Sequence, residues 1–183
     1  MRKFFASVLE ILEIAVVAIV AVFIIRSFLV QPFLVSGLSM IPTFSNGDYL
    51  LIDELTYHFR APERGEVIVF RYPGDLSTYF IKRIIGLPNE RVSFENGKIV
   101  IVSSSTPSGF SLDEKYLPQP FAPSENRAFK QLASDEYLVF GDNRSFSFDS
   151  RNWGPLKKDD IVGLVRLRLW PVNDFRAFAA PQY

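Results

Sequence analysis

The stretch Arg91-Val92-Ser93-Phe94-Glu95-Asn96-Gly97-Lys98-Ile99-Val100-Ile101-Val102 places two short runs, rich in β-branched and aromatic residues, around an Asn-Gly pair. A tight two-residue turn needs positive φ at both positions, and asparagine and glycine tolerate it best, so this stretch predicts a β-hairpin. The same texture continues outward in both directions. Toward the N-terminus, Tyr49-Leu50-Leu51-Ile52 is one run and residues 66–71 are another, and Pro73-Gly74-Asp75 turns the latter toward residues 78–85. Toward the C-terminus, residues 136–140 and 161–169 supply the last strands. Short apolar runs punctuated by turn residues predict a mainly β domain. Residues 103–128, rich in serine and proline, follow neither a helical nor a strand period and read as an irregular excursion or lid.

The first thirty residues differ in kind. After Met1-Arg2-Lys3 the chain is largely apolar from residue 4 to residue 30, its only charges there being Glu10, Glu13 and Arg26, and residues 14–25 carry no polar side chain. A helix of about 20 residues crosses the bilayer core. Residues 14–25 alone are too short, but the turns back to Phe4 supply the length, with Arg26 snorkelling at the far end. A cleaved signal sequence needs a small-x-small site after its apolar region. Here the apolar run continues through Phe28, Leu29, Val30, Phe33 and Leu34 without one. The expectation is an N-terminal tip and transmembrane anchor in residues 1–30, followed by one domain in residues 31–183. Arg2 and Lys3 keep the N-terminus cytoplasmic by the positive-inside rule, which puts the domain on the extracytoplasmic side.

Composition narrows the chemistry. Lysine plus arginine equals aspartate plus glutamate at 20 each, with no basic stripe, so a nucleic-acid partner is not expected. The chain has no cysteine, which excludes disulfides, a thiol nucleophile and thiolate metal sites. The single histidine, His58, lacks companions for a metal site and reads as a surface or packing residue. Neither a cofactor nor a metal is expected.

Three segments place polar residues or glycines where packing does not call for them. In Ser36-Gly37-Leu38-Ser39-Met40-Ile41-Pro42-Thr43, Gly37 permits a tight path and Pro42 stiffens the chain, so Ser39 can be presented on a rigid turn. In Tyr79-Phe80-Ile81-Lys82-Arg83-Ile84-Ile85-Gly86-Leu87-Pro88, strand alternation puts Lys82 on one face with Phe80 and Ile84. Lys82 is then either an edge-strand lysine reaching solvent or a desolvated amine with a lowered pKa, the direction a general base needs. The third segment, residues 141–154 (Gly141-Asp142-Asn143-Arg144-Ser145-Phe146-Ser147-Phe148-Asp149-Ser150-Arg151-Asn152-Trp153-Gly154), is either a solvated loop closed by ion pairs or a rigid support around a site.

In this order after one apolar span, the three segments resemble those of bacterial type I signal peptidases, and the similarity covers nearly the whole chain. Ser39-Met40-x-Pro42-Thr43 resembles the family's nucleophile motif. Lys82-Arg83 with Gly86-x-Pro88 resembles its lysine motif, and Gly141-Asp142-Asn143-Arg144-x-x-Ser147-x-Asp149-Ser150-Arg151 resembles its third. Gly47-Asp48-Tyr49 and Arg64-Gly65-Glu66-Val67 resemble two further segments of structural character.

The resemblance implies a coiled, partly barrel-like antiparallel sheet domain hung from one transmembrane helix in a bacterial plasma membrane. It implies a serine endopeptidase in which Ser39 is the nucleophile, Lys82 the general base and Ser147 a hydroxyl orienting the lysine. Asp149 with Arg151, and Asp142 with Arg83, would be supporting ion pairs. The implied partners are signal-peptide-bearing preproteins and the lipid bilayer. Two departures stand out. Gly37 occupies a position where some members carry a serine that donates to the oxyanion, which leaves backbone N–H groups for that task and suggests that a serine would be accepted there. Asn89 replaces a common glycine, a change that asparagine's tolerance of positive φ makes mild. The stretch between Lys82 and Gly141 is too short for the large inserted subdomain of longer members. Two rivals are a self-cleaving repressor with the same dyad, which calls for an N-terminal DNA-binding domain, and a catalytically silent, membrane-tethered binding module of the same fold.

Overall fold

The computed structural model describes residues 10–20, 30–117 and 126–181. Twelve strands dominate it: β1 (Val30–Leu34), β2 (Tyr49–Asp53), β3 (Val67–Tyr72), β4 (Asp75–Gly86), β5 (Arg91–Glu95), β6 (Lys98–Val102), β7 (Phe110–Ser111), β8 (Arg127–Ala128), β9 (Glu136–Phe140), β10 (Leu156–Lys157), β11 (Ile161–Trp170) and β12 (Arg176–Ala177). Helix is confined to residues 10–20 and to single turns such as Thr56–Phe59 and Ser150–Trp153.

The larger sheet runs β1-β2-β11-β3-β4-β9-β10, with β12 paired to β11, and every pairing is antiparallel. A smaller sheet, β7-β6-β5-β8, contains the Asn-Gly hairpin, where Glu95 faces Lys98 and both Asn96 (φ 50°) and Gly97 (φ 76°) take positive φ. Neither sheet closes into a barrel among the described residues, so the partly barrel-like expectation reduces to open antiparallel sheets. Open edges are a liability that short edge strands limit, and the last strand of the large sheet, β10, is only two residues long.

Residues 10–20 form a helix whose side chains are all exposed. Among the described residues no helix is long and apolar enough to cross a membrane, and the rest of the expected span, residues 4–9 and 21–29, lies outside them. The apolar run that seemed to extend this span ends differently. Val30–Leu34 is the edge strand β1, paired through Val30↔Asp53 to Leu34↔Tyr49. An apolar run of this length fits a strand as well as a helix end, and pairing with β2 decides it. The excursion is also less irregular than its composition suggests. Phe110–Ser111 pairs with β6 and Arg127–Ala128 with β5, while residues 118–125 fall outside the description. Two-residue strands carry no periodic signal, so only their neighbours reveal them.

Burial follows strand alternation. In β3, Ile68 and Phe70 face a core with Ile84, Tyr137, Val139 and Leu156, whereas Val67 and Val69 face another with Val35, Met40, Phe44, Leu50 and Ile52. This two-sided burial makes β3 the centre of the sheet. A third core joins the small sheet to the ends of β4 and β9 through Ile85, Val92, Phe94, Ile101, Leu138 and Phe140. Met40 and Phe44, fully buried under the turn that carries Ser39, anchor that turn to the sheet.

Candidate active site

β4 is positioned by its long hairpin with β3, which sets Ile68 opposite Lys82 and Phe70 opposite Phe80. On its other side β9 pairs with β4 only as far as Arg83↔Phe140. Lys82 therefore lies where β4 loses its neighbour, and the turn after β1 and the loop after β9 occupy the space beside it. Lys82 is only 4% exposed, which settles the choice between a solvent-reaching and a desolvated lysine. Its Nζ lies 2.7 Å from Ser39 Oγ and 2.9 Å from the Ile81 carbonyl oxygen. The ammonium position is also 5.2 Å from the Phe80 ring centroid. Burial lowers the Lys82 pKa to about 8, against the opposing pull of the Asp149 and Asp142 carboxylates.

Ser39 sits on a turn closed by the Ile41 N–H donating to the Leu38 carbonyl at 3.3 Å. Gly37, just before it, has φ 102° and donates its N–H to Asn46 Oδ1 at 2.9 Å. An added side chain at Gly37 would find open space, but that φ strains any L residue, so a serine there carries a backbone cost that the sequence did not show.

The loop after β9 closes the site from the other side. Asn143 N–H donates to the Ser39 carbonyl and Asn143 Nδ2 to the Leu38 carbonyl, each at 3.0 Å. Gly141 approaches so closely that a Cβ there would collide with the Ser39 carbonyl oxygen and with Ser147 Oγ. Ser147 is thus beside the Ser39 backbone. Its buried hydroxyl is among the groups that lower the Asp149 pKa, while the lysine amine itself meets Ser39 Oγ and the Ile81 carbonyl.

Two ion pairs, each on a fully buried carboxylate, brace this arrangement. Arg83 donates to both Asp142 oxygens, at 2.8 and 2.6 Å, and to the Gly65 carbonyl at 2.7 Å, while Thr43 Oγ1 donates to Asp142 Oδ2 at 2.5 Å. Asp142 thereby ties the lysine strand to the Ser39 turn. Asp149, fully buried, accepts from Arg151 Nε and Nη2 at 2.8 Å each and from the Gly141 N–H at 2.9 Å. Burial pushes the Asp149 carboxyl up, but the Arg151 contacts and the Gly141 N–H outweigh it and hold the pKa below its usual value. Asp149 also caps the turn Ser150–Trp153 in a capping box with Asn152.

Sequence reasoning missed three parts of this site. Thr43 and Asn143 stand within the motifs, but alternation cannot show which backbone atoms a loop residue will meet. The third is a cleft of about 350 Å³ in which Ser39 and Lys82 are flanked by Phe33, Val35, Leu50, Tyr79, Ile81, Phe146 and Phe148. Phe146 and Phe148, exposed at 77% and 52%, gave a signal in the sequence as two aromatics in a polar loop. His58 stands apart on the Thr56–Phe59 turn, its Nδ1 3.0 Å from the Glu54 carbonyl. Among the described residues no group of histidine, cysteine, aspartate or glutamate is arranged to hold a metal ion.

A buried amine touching a serine hydroxyl at the floor of an open apolar cleft can deprotonate that hydroxyl and deliver it to a bound carbonyl. The family model for signal peptidase, peptidase S26, matches residues 8–170. A signal peptidase I of Leptolyngbya laminosa is 35% identical over 165 residues, covering 86% of this chain and 77% of that protein. Signal peptidase IB of Staphylococcus aureus is 32% identical over 176 residues, covering 91% of each. The crystal structure of a signal peptidase I from Enterococcus faecalis V583 aligns with 57% of this chain and 97% of that one, at 27% identity and a TM-score of 0.47. With most of its length matched by the family model and by relatives above 30% identity, the chain belongs to the signal peptidase family, peptidase S26.

Proposed function

We propose that Ser39 and Lys82 are the catalytic pair of this signal peptidase I, and that the amide they cleave joins a signal peptide to an exported preprotein. The observation that carries the assignment is the 2.7 Å contact between Ser39 Oγ and a lysine whose burial lowers its pKa to about 8. With that pKa about one molecule in ten holds the free amine at pH 7, against about one in three thousand for an unperturbed lysine. Neutral Lys82 takes the Ser39 proton as Oγ attacks the scissile carbonyl carbon. The oxyanion is received by backbone N–H groups, including that of Ser39. The lysine ammonium then protonates the departing amine, leaving an acyl-enzyme. Water, giving a proton to Lys82, attacks the ester and releases the signal peptide as a carboxylate. Asp142 with Arg83, and Asp149 with Arg151, hold the lysine strand and the third loop in register, and Ser147 lies within the same cluster.

The chain is further read as an anchor in residues 1–30 with a cytoplasmic N-terminus, followed by an extracytoplasmic catalytic domain in residues 31–183 in a bacterial plasma membrane. The apolar side chains of residues 11–20 support this reading, since Ile11, Ile14, Val17 and Ile19 are each at least 63% exposed and call for a nonaqueous surrounding. Residues 103–128 are read as an irregular excursion or lid of the same domain.

The test is cleavage of a precursor bearing an intact signal peptide by full-length protein in detergent, with Ser39→Ala and Lys82→Arg as variants. Both should fall to background while thermal melting shows that each variant is folded. A folded Lys82→Arg enzyme with substantial activity would end the assignment, because arginine stays charged at any working pH. Protease added outside spheroplasts should degrade the domain from residue 36 onward, and protection of that domain would overturn the orientation.

A further inference from the structure

The loop after β9 makes contacts that the catalytic pair does not account for. Asn143 bonds to two consecutive carbonyls, those of Leu38 and Ser39. The only cis peptides among the described residues precede Pro42 and Pro171, so the Leu38–Ser39 peptide is trans. In a planar trans peptide the carbonyl and the following N–H point in opposite directions. A donor that fixes the Leu38 carbonyl therefore fixes the direction of the Ser39 N–H. That N–H meets no acceptor among the described residues, and Leu38 and Ser39 both line the cleft.

The next residue locks the loop from behind. Arg144, 7% exposed, donates Nε to the Gly141 carbonyl at 3.0 Å, Nη1 to Glu114 Oε2 at 2.6 Å, and Nη2 to Glu114 Oε1 and to the Tyr116 hydroxyl. Tyr116 in turn donates to Glu114 at 2.6 Å, and its ring lies 4.1 Å under the Arg83 guanidinium. Glu114 and Tyr116 belong to the serine- and proline-rich excursion. One end of that segment is thereby clasped to the backbone of the nucleophile turn.

We propose that Asn143 is a positioning residue that aims the Ser39 N–H at the oxyanion, and that the Glu114–Arg144 clasp holds Asn143 in place. The proposal rests on the reading of Ser39 as nucleophile. Losing one well-placed oxyanion donor lowers kcat by about 10²–10³-fold. Misdirecting a donor that is still present has a smaller effect, so Asn143→Ala should lower kcat by about 10–100-fold with KM within threefold. Glu114→Gln, which keeps shape and removes the charge, should lower kcat by a smaller factor. Its effect should nearly vanish in an Asn143→Ala background, as coupled positions require.

The experiment uses full-length protein in detergent, with active sites titrated so that unfolded enzyme does not count. It measures cleavage kinetics, the affinity of a peptide aldehyde that forms a hemiacetal oxyanion on Ser39, and the affinity of the intact precursor in a Ser39→Ala background. Asn143→Ala should weaken the aldehyde in parallel with kcat and leave precursor affinity unchanged. Unchanged kcat per titrated site, unchanged aldehyde affinity, a loss seen only in KM, or additive effects of Glu114→Gln and Asn143→Ala would overturn the proposal while Ser39→Ala remains dead. An active Ser39→Ala enzyme would instead remove the nucleophile assignment, and this inference with it.

Discussion

Replacing Lys82 by methionine should abolish activity and yet make the protein more stable at neutral pH relative to high pH. Methionine keeps the apolar stem between Phe80 and Ile84 and removes the ammonium. In the folded chain burial lowers the Lys82 pKa from 10.5 to about 8. The folded pKa lies below the unfolded one, so between these values the unfolded chain binds more protons and stability rises with pH. Well below pH 8 the folded state carries the full cost, about 3 kcal/mol, and at pH 10 less than about 1 kcal/mol remains. The methionine variant escapes this cost but loses the contacts to Ser39 Oγ and to the Ile81 carbonyl, worth about 1 kcal/mol each. Those losses depend little on pH. The stability difference between variant and wild type should therefore change by about 2–3 kcal/mol from pH 7 to pH 10, the variant being favoured at the lower value. For a chain of this size that corresponds to about 5–10 °C in Tm. The assay is thermal melting of both full-length proteins in the same detergent at a series of pH values, followed by tryptophan fluorescence. A Tm difference that stays constant from pH 7 to pH 10 would show that Lys82 is charged in the folded state, and the neutral-base mechanism would fall.

Activity of the wild type should rise with pH as Lys82 deprotonates and level off above about 8, and precursor cleavage over a pH series in one detergent reads this directly. Asp142→Ala leaves the buried Arg83 guanidinium without its carboxylate and frees Thr43, so it should cost about 3–5 kcal/mol in denaturant titrations. A loss under 1 kcal/mol would mean the pair is not a brace. Gly37→Ser, at φ 102°, should lower stability by about 1–2 kcal/mol and bring no gain in kcat, and a variant that melts like the wild type and cleaves faster would contradict the backbone argument.

The local chemistry of this protein is legible in its sequence. Asn96-Gly97 can hardly be anything but a hairpin turn, and the alternation of Phe80, Lys82 and Ile84 places the lysine in an apolar row, because both signals depend only on residues close together in the chain. The three motifs belong to the same class of evidence, since each is a short run whose residue types are constrained by its own backbone path. What the sequence could not decide depends on where distant segments meet. Val30–Leu34 is equally apolar as the end of a helix or as a strand, and its pairing with β2 chose the strand. Lys82 was as consistent with a solvent-reaching edge as with a buried base. β9 stops pairing at Arg83, and the Ser39 turn fills the gap, so the amine is sealed against a hydroxyl 43 positions away in the chain. Glu114 and Tyr116 carry no pattern at all, and they matter because Arg144 is brought to them from thirty residues on. Periodicity reports on neighbours along the chain, whereas desolvation and hydrogen bonding across it are set by the packing of sheet and loops, which only the tertiary structure fixes.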